Sequence, residues 1–416
     1  MEDMQDKTQK KIAYIHIQFP KLSETFIRRE IESLEKLGMN IQNYSLKKPF
    51  PDDLNDRNRS FVLKTIYLPS YFSFGMIYSH LYWFLRHPVA YLATAWRVLS
   101  SRYPPGNIWL AVRKPLLFWR SVHLARIIYK DKSIVHLHAH FKYIAIVAWI
   151  VSRFTGHSYS FTAHFATNAL MVGRIAEDAR FVATVSEREK AIIKAAISKS
   201  SSTPVHLVRL GLPENYFAPT DEIKKPDVPA IISIGRLIPK KGYIFLLRVL
   251  AILAKRGKAF KALIVGDGPL MKELESHVVN FGLSDHVTLA GARDPLWVQN
   301  ALDRSHVFAL FCAYGPDGDV DGIPVAMMEA MARGLPVVTT RISALPELIV
   351  DGVTGFTVRP GDITGFADAL EKLIEEPALR EKMGVAAFEK VSREYRLTRQ
   401  VSQMKALFDN ILQGSR

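Results

Sequence analysis

Cysteine is almost absent from this chain of 416 residues, in which Cys312 is the single example. One thiol excludes an internal disulfide and a thiolate metal cluster, and it is typical of a protein kept in a reducing compartment. The beginning of the sequence also lacks the pattern of a secretory leader, because the charged segment MEDMQDKTQKK runs directly into a predicted strand. We therefore expect a cytoplasmic protein.

Acidic residues are entirely absent from residues 57–130, which contain eleven Lys and Arg and sixteen aromatic residues. Helical spacing with basic and Trp/Tyr flanks is typical of an amphipathic helix lying in the plane of a membrane surface. The residues predicted to contact a membrane or an acceptor there are Arg113, Lys114, Trp119 and Arg120. The alternative is a helical hairpin that packs on its own domain and leaves its basic residues in water.

Long apolar runs are missing as well. Residues 65–85 carry no charged side chain, but Pro69 and Gly75 make the stretch a poor membrane span. The net charge of +15 belongs to the first half, because residues 1–212 hold 30 Lys+Arg against 15 Asp+Glu, whereas residues 213–416 hold 25 of each. Nucleic acid, an anionic membrane or an anionic substrate could each explain this excess. We favour a peripheral position at the inner face of a membrane over nucleic acid, since no recognition helix or RNP motif accompanies the charge.

Predicted strands and helices alternate along both halves of the chain. This pattern indicates an α/β protein with two Rossmann-like, doubly wound domains facing across a cleft. We assign residues 1–212 to the first domain, with residues 57–130 as a helical insertion, and residues 225–390 to the second. Residues 391–416 form a C-terminal helix, for which packing back on the first domain is one arrangement. The first turn, PKLSET, lacks the GxGxxG fingerprint, so a dinucleotide site there is unsupported.

The stretch DGDVDGIPVAMMEAMARGLPVVTT, residues 317–340, reads as a loop, a short helix and a buried strand. Asp321 lies just ahead of the helix, and Glu329 lies inside it. A loop that presents backbone N–H groups at a helix N-terminus can bind an anion, and a carboxylate further along can hold vicinal hydroxyls. The combination suits a sugar joined to phosphate. The alternative is an ordinary loop–helix–strand unit with solvated carboxylates.

A second glycine-bearing turn opens the second domain in the sequence GRLIPKKG. Gly235 permits a tight turn, and Arg236, Lys240 and Lys241 meet at the start of a helix predicted from Gly242. Fixed cations beside a helix N-terminus form a clamp for a diphosphate.

Histidines mark the ends of two predicted strands in the first domain. His136, His138 and His140 share one strand face, which raises the possibility of a metal site, but polar strand-end residues are the favoured interpretation because no nearby carboxylate or cysteine joins them. His164 follows the strand in YSFTAHF, where ligands bind in parallel sheets. A neutral His164 could accept a proton or bind a sugar hydroxyl, and a satisfied buried histidine is the equal alternative.

These motifs together resemble the retaining, two-Rossmann-domain glycosyltransferases of family 4, which have the GT-B fold. The segments GRLIPKKG, VGDGP, DGIPVAMMEAMARGLPVV and LPELIVDGVTGF occur in the order and spacing of that family. FPKLSETFIRREIESLEKLG, HLHAHF and SFTAH look like the narrower group that acts in exopolysaccharide and lipopolysaccharide assembly, of the colanic-acid kind. The resemblance implies that the first domain binds the acceptor and the second binds the nucleotide sugar.

The resemblance also implies roles for single residues. Arg236 and Lys241 match the positions that hold the donor diphosphate, and Glu329 matches the glutamate that binds ribose. Asp321 stands where the family usually has a glutamate near the transferred sugar, so its shorter side chain is a departure. His164 matches the family histidine beside that sugar. The further residues expected in the donor site are Gly235, Gly266, Gly268, Gly322, Ile323 and Pro324.

The expected function is therefore a retaining glycosyltransferase that moves a sugar from a nucleotide-sugar donor to a membrane-associated, lipid-linked or saccharide acceptor in surface polysaccharide biosynthesis. We expect neither a cofactor nor a metal, because Arg236 and Lys241 can stabilise the leaving diphosphate. Asp317 and Asp319 form a D-x-D pair only formally, within a glycine-rich loop. The alternatives are a nucleotide-sugar epimerase or hydrolase on the same fold and a nucleotide-sugar-binding scaffold protein.

Overall fold

A computed structural model describes most of the chain. The described residues are 10–21, 24–54, 56–69, 73–100, 108–164, 169–217, 225–316, 318 and 320–414. The chain divides into two compact units. One contains Met1–Arg209 and Gln400–Arg416, and the other contains Leu210–Arg399. The sequence predicts that the first domain ends at residue 212. The end of the chain belongs to the first unit in this division.

Seven parallel strands form the sheet of the first unit among its described residues, in the order β3-β2-β1-β4-β5-β6-β7. The strands are β1 (Lys11–Gln18), β2 (Ile41–Lys47), β3 (Thr65–Tyr67), β4 (Ile134–His140), β5 (Ser158–Ala163), β6 (Phe181–Thr184) and β7 (Val205–Leu207). The helices are α1 (Thr25–Lys36), α2 (Asp56–Lys64), α3 (Phe74–Arg86), α4 (Pro88–Ser100), α5 (Ile108–Lys130), α6 (Lys142–Thr155), α7 (Ala169–Ala176) and α8 (Glu187–Ala196).

The second unit contains a six-stranded parallel sheet in its described part, in the order β10-β9-β8-β11-β12-β13. The strands are β8 (Ala230–Ile234), β9 (Lys261–Val265), β10 (Val287–Gly291), β11 (Val307–Leu310), β12 (Val337–Thr340) and β13 (Gly355–Val358). The helices are α9 (Tyr243–Lys255), α10 (Met271–Asn280), α11 (Pro295–Asp303), α12 (Val325–Met331), α13 (Leu345–Leu348), α14 (Ile363–Glu375) and α15 (Pro377–Glu394). A last helix, α16 (Leu397–Gly414), carries the chain into the residues of the first unit.

Both sheets are doubly wound, as the alternation of strands and helices predicts. In each, the strand order reverses beside the first strand, between β1 and β4 in one unit and between β8 and β11 in the other. Most strand residues are buried on both faces, as expected where helices cover both sides of a parallel sheet. Ligands of such sheets bind at the carboxyl ends of the strands beside this reversal. The α/β prediction is confirmed.

The basic-aromatic insertion, residues 57–130, contains most of α2 and all of α3, α4 and α5 within the described residues. Trp83 of α3 is completely buried, and its ring lies 5.4 Å from the rings of both Tyr129 and Phe154. The insertion is therefore anchored on its own unit by aromatic packing, in agreement with the hairpin alternative. None of the described helices combines the length and the apolar character that crossing a membrane requires.

Candidate functional site

The turn after β8 folds tightly because glycine occupies its last position. The chain makes a single 3-10 turn at Pro239–Lys241, and Gly242 then adopts a φ of 64° immediately before α9. A β-carbon on Gly242 would lie 1.8 Å from the carbonyl oxygen of Phe311, just after β11. Only glycine can bring the start of α9 this close to β11.

Two glycine loops touch each other beside this turn. A β-carbon on Gly266, which follows β9, would lie 1.9 Å from the carbonyl oxygen of Gly235, which follows β8. A β-carbon on Gly268 would likewise lie 2.6 Å from the carbonyl oxygen of Leu237. Leu237 N–H in turn donates to the carbonyl of Asp267 at 2.9 Å. The loops that contain the predicted glycines of GRLIPKKG and VGDGP are thus in direct backbone contact.

Asp321 links the two lysines of the first turn. One of its carboxylate oxygens lies 3.1 Å from Lys240 Nζ and the other 2.6 Å from Lys241 Nζ. Burial by itself raises the pKa of Asp321, but Lys241 and then Lys240 lower it by more, so its net pKa lies below the ordinary value. Asp321 is therefore ionised at neutral pH and brings two ammonium groups together.

The other predicted donor-site residues are close in sequence to Lys240, Lys241 or Asp321, and they differ in how far they are buried. Arg236 is exposed and forms no ion pair with another described residue. Lys240 and Lys241 share the single carboxylate of Asp321, and Arg236 adds a third positive charge to the same turn, which favours an anion at this edge of the sheet. Gly322 and Pro324 are buried, whereas Ile323 is half-buried, directly before α12. Glu329 is half-buried within α12.

Some residues that the sequence analysis names fall outside the described part of the structure. The formal D-x-D pair, Asp317 and Asp319, falls outside the described residues, and so does the side chain of Arg113. Their predicted roles stay predictions.

His164 lies directly after β5 and is almost completely buried. Its ring centroid lies 4.8 Å from that of Phe26 and 4.5 Å from that of Phe141. Phe141 has a φ of 68°, which is uncommon for a residue with a side chain and is found most often near functional sites. Burial, followed by the effect of His140, holds the pKa of His164 well below its usual range. His164 is therefore neutral at pH 7.

A buried carboxylate joins the strand-end histidines, which the sequence interpretation missed. His140 Nε2 lies 3.1 Å from Glu30 Oε1, and His140 Nδ1 lies 3.0 Å from His164 Nε2. Glu30 sits on the buried face of α1, between Ile27 and Ile31. A glutamate within an otherwise apolar helical stripe was the available signal, because charged residues are rarely buried without a partner.

A metal ion is not the simplest occupant of this cluster. Glu30, His138 and His140 offer ligand atoms within 4.8 Å of one another. However, His138 already pairs through Nδ1 with Ser160 at 2.8 Å and through Nε2 with Thr162 at 3.2 Å. Hydroxyl partners thus satisfy His138, as the strand-end interpretation expects. The expectation that the protein needs no metal stays a prediction.

One of the predicted membrane contacts, Arg120, needs correction, and the others stay predictions. Arg120 is 4% exposed and donates to the backbone carbonyl of Leu46, so it is part of the core rather than of a surface. Trp119 is half-buried, and its ring stacks on His80 with centroids 4.0 Å apart. Lys114 is half-buried as well, and burial lowers its pKa. A basic-aromatic composition did not reveal which side of α5 faces inward.

The exposed apolar residues of the insertion lie instead on α3 and α4. Eight large side chains at helical spacing are 49–92% exposed. We call them the α3–α4 apolar face: Phe74, Ile77, Leu81, Leu85, Val89, Leu92, Trp96 and Leu99. Arg86 and Arg97 are exposed on the same two helices. Several large exposed apolar side chains on neighbouring helices, with basic residues among them, are typical of a binding surface.

The sequence of the second unit matches a known family. Residues 218–390 match the family model of "Glycosyl transferases group 1". They form a group 1 glycosyltransferase domain. The matched segment contains both glycine loops and the Lys240–Asp321–Lys241 cluster. The predicted resemblance is therefore confirmed for this part of the chain.

Curated relatives match over part of their length. The amylovoran biosynthesis glycosyltransferase AmsK of Erwinia amylovora is 35% identical over 193 residues, which is 46% of this chain and 47% of that protein. The putative colanic acid biosynthesis glycosyltransferase WcaL of Escherichia coli K12 is 38% identical over 163 residues, which is 39% of this chain and 40% of that protein. The chain thus matches less than half the length of these relatives.

Solved structures match over nearly the whole chain. Sucrose-phosphate synthase from Thermosynechococcus elongatus has a TM-score of 0.72 at 19% identity, covering 98% of this chain and 100% of that one. Anabaena HepE, in a complex with UDP-glucose, has a TM-score of 0.69 at 15% identity, covering 96% of this chain and 99% of that one. These likenesses show the fold, and the predicted GT-B fold is confirmed.

Proposed function

We propose that this protein is a retaining glycosyltransferase of surface polysaccharide biosynthesis. It transfers a sugar from a nucleotide-sugar donor to a membrane-associated acceptor, which is lipid-linked or another saccharide. The match of residues 218–390 and the names of the partial relatives support transfer of a sugar. The complex of HepE with UDP-glucose, a protein of the same fold, supports the class of donor.

The Lys240–Asp321–Lys241 cluster is the observation that carries this proposal. Breaking the bond between a sugar and a diphosphate leaves negative charge on the diphosphate. Lys241 and the exposed Arg236 are placed after β8, beside the N-terminal end of the 13-residue helix α9. Preorganised cations at such a position stabilise the leaving group without further rearrangement. The protein thus needs no divalent metal for this task.

Asp321 has a second task in this proposal. While no nucleotide sugar is bound, the carboxylate holds the two ammonium groups in place. Without it, their mutual repulsion would push the two lysine side chains apart. When a diphosphate arrives, it takes over these cations, and Asp321 becomes available to the transferred sugar. Glu329 then binds the ribose hydroxyls, and His164 contacts the sugar.

The partner of the α3–α4 apolar face is an anionic membrane in this proposal. Phe74, Val89 and Trp96 are each more than 70% exposed, which is costly in water. The surrounding residues 57–130 carry basic but no acidic side chains, so the charge complements an anionic lipid surface. Because the helices are too short to span a bilayer, they would lie in its interface. This position would bring a lipid-linked acceptor to the protein.

Nucleotide binding tests the donor site directly. We would measure the thermal stability of the wild type with UDP, GDP, ADP and CMP, and repeat it with the Arg236→Ala/Lys241→Ala variant. A ligand at about 100 times its dissociation constant stabilises a protein by about 2.7 kcal/mol, which is a clear shift. One nucleotide should stabilise the wild type, and the double variant should lose that shift. Lys272→Ala, on the exposed side of α10, is the matched control and should keep it.

Turnover separates the transferase from its alternatives. Lys241→Ala should reduce turnover by about 10²–10³-fold, as loss of one preorganised charge-stabilising donor does elsewhere. NMR of the product should show the anomeric configuration of the donor, and a chelator should leave the rate unchanged. Complete consumption of donor without acceptor would favour the hydrolase or epimerase. Tight nucleotide binding with no turnover for any acceptor would favour the scaffold protein.

A further inference from the structure

We propose that Glu30 and His140 are positioning residues that fix the tautomer of His164, so that Nδ1 of His164 is its hydrogen-bond acceptor toward the substrate. The inference rests on the proposed function only in naming the substrate, a hydroxyl of the transferred sugar. The tautomer itself follows from contacts within the first unit.

Glu30 is the fixed end of the chain of hydrogen bonds. Its carboxylate is 1% exposed, and donors occupy both oxygens. Tyr14 Oη donates to Oε1 at 2.9 Å, and Gln400 Nε2 donates to Oε2 at 2.7 Å. A buried carboxylate surrounded by donors can act only as an acceptor toward its third partner, His140.

His140 transmits this constraint to His164. Because Glu30 Oε1 is an acceptor, His140 must carry its proton on Nε2, which lies 3.1 Å away. His140 is neutral in this proposal, with its lone pair on Nδ1; if both of its nitrogens were protonated, Nδ1 would instead donate to His164 Nε2 and the proton of His164 would lie on Nδ1. His164 Nε2 lies 3.0 Å from that lone pair and must be the protonated nitrogen of its ring. The remaining nitrogen of His164, Nδ1, therefore carries the lone pair.

The reverse chain is disfavoured by charge. If His140 carried its proton on Nδ1, its Nε2 lone pair would face the Glu30 carboxylate in a buried site. Two acceptors 3.1 Å apart without a proton between them repel each other, and burial strengthens the repulsion. His164 is also neutral, because burial holds its pKa well below the usual range, so it cannot donate from both nitrogens.

The tautomer determines whether His164 accepts or donates a hydrogen bond at Nδ1. A neutral imidazole with its lone pair on Nδ1 accepts a hydrogen bond from a hydroxyl, whereas the opposite tautomer would offer a donor to that hydroxyl. Phe26 and Phe141 pack against the ring and restrict its rotation. Glu30, which is distant from the substrate along this chain, thus decides what His164 can recognise.

Replacing Glu30 with glutamine tests the inference sharply. Gln400 Nε2 would pair with the new amide oxygen, which directs the new amide nitrogen toward His140 Nε2. The chain should then reverse, with the proton of His140 on Nδ1 and that of His164 on Nδ1. The shape and burial of the side chain stay the same. His136→Gln is the matched control, because His136 is buried in the same sheet but pairs with Ser158 and Ser160 instead.

The measurement is ¹⁵N NMR of the full protein labelled at histidine, with His164 assigned by loss of its signals in His164→Gln. In the wild type and in His136→Gln, Nε2 of His164 should be the protonated nitrogen, and Glu30→Gln should exchange the two. Glu30→Gln should also lower kcat by about 10²-fold with less than about a threefold change in nucleotide affinity, the size of a lost acid–base contact. A protonated Nδ1 in the wild type would overturn the inference without any variant. An unchanged tautomer in Glu30→Gln would overturn the role of Glu30.

The two proposals fail in different ways. The tautomer is observed without turnover, so a protein that never transfers a sugar still reports on the hydrogen-bond chain. Conversely, normal transfer with the opposite tautomer contradicts this inference alone.

Discussion

The carboxylate of Asp321 lies 2.6 Å from the amino group of Lys241, so two residues with separately predicted roles form one ion pair. The resemblance places Asp321 near the transferred sugar and Lys241 near the diphosphate. Their contact means that a donor must compete with Asp321 for the lysine.

Asp321→Asn should therefore strengthen binding of the nucleoside diphosphate that the wild type prefers. The ion pair is 13% exposed on both sides, and a partly exposed pair is worth about 1 kcal/mol, so the affinity should rise about fivefold. Calorimetry at two salt concentrations measures the affinity, which should also become more dependent on salt. Asp303→Asn, which removes the same charge from a pair with Arg333, is the control. Weaker binding in Asp321→Asn would contradict the competition.

Gly266→Ala should destabilise the protein and weaken nucleotide binding together. The new methyl group would lie 1.9 Å from the Gly235 carbonyl oxygen, so the two loops would have to separate. Such overpacking, combined with a φ of 142°, should cost roughly 2–5 kcal/mol of the free energy of unfolding. Gly257→Ala is the control: its φ is also positive, at 69°, but a β-carbon there meets nothing within 4 Å. Equal losses in the two variants, by denaturant titration, would argue against the loop contact.

The α3–α4 apolar face should bind liposomes that contain anionic lipid. Leu92→Ser/Trp96→Ser should weaken binding by about tenfold or more, because burial of each side chain contributes about 1–2 kcal/mol even when incomplete. Flotation of liposomes at low and high salt measures this. Val279→Ser, which removes an exposed apolar residue from the second unit, should leave binding unchanged. Indifference of the wild type to lipid charge would refute the membrane proposal.

Acid should destabilise the first unit through its buried histidines. Burial lowers the pKa of His136 to about 3. The unfolded chain binds a proton on this ring below about pH 6.5, whereas the native ring does not until about pH 3. The free energy of unfolding therefore falls as the pH drops through this window, by about 1.4 kcal/mol per pH unit once the unfolded ring is fully protonated.

His136→Gln should consequently flatten the loss of stability between pH 6.5 and pH 4.5, because one titrating ring is removed. Denaturant titrations at several pH values compare the two proteins. Parallel curves for wild type and variant would show that His136 does not titrate in this way.

Local patterns predicted much of this molecule. The alternation of apolar strands and amphipathic helices predicted the α/β class, and the glycines of GRLIPKKG and VGDGP predicted the loops where backbones touch. Both features can be recognised from short segments of sequence. Glycine at positions such as Gly242 and Gly266 indicates a tight turn, because only a residue without a side chain allows two backbones to approach so closely.

The sequence by itself determined which residues could carry charge, turn tightly or form a core, because those properties belong to single side chains and short segments. Only the tertiary structure decided their partners. Arg120 is buried, although the composition of its segment predicts a membrane contact. Glu30 contacts His140, although 110 positions of the sequence separate them. The tertiary structure also places Gln400 on the same carboxylate, although 370 positions separate the two residues. Such contacts arise from packing of distant elements, and no local pattern of residues encodes them.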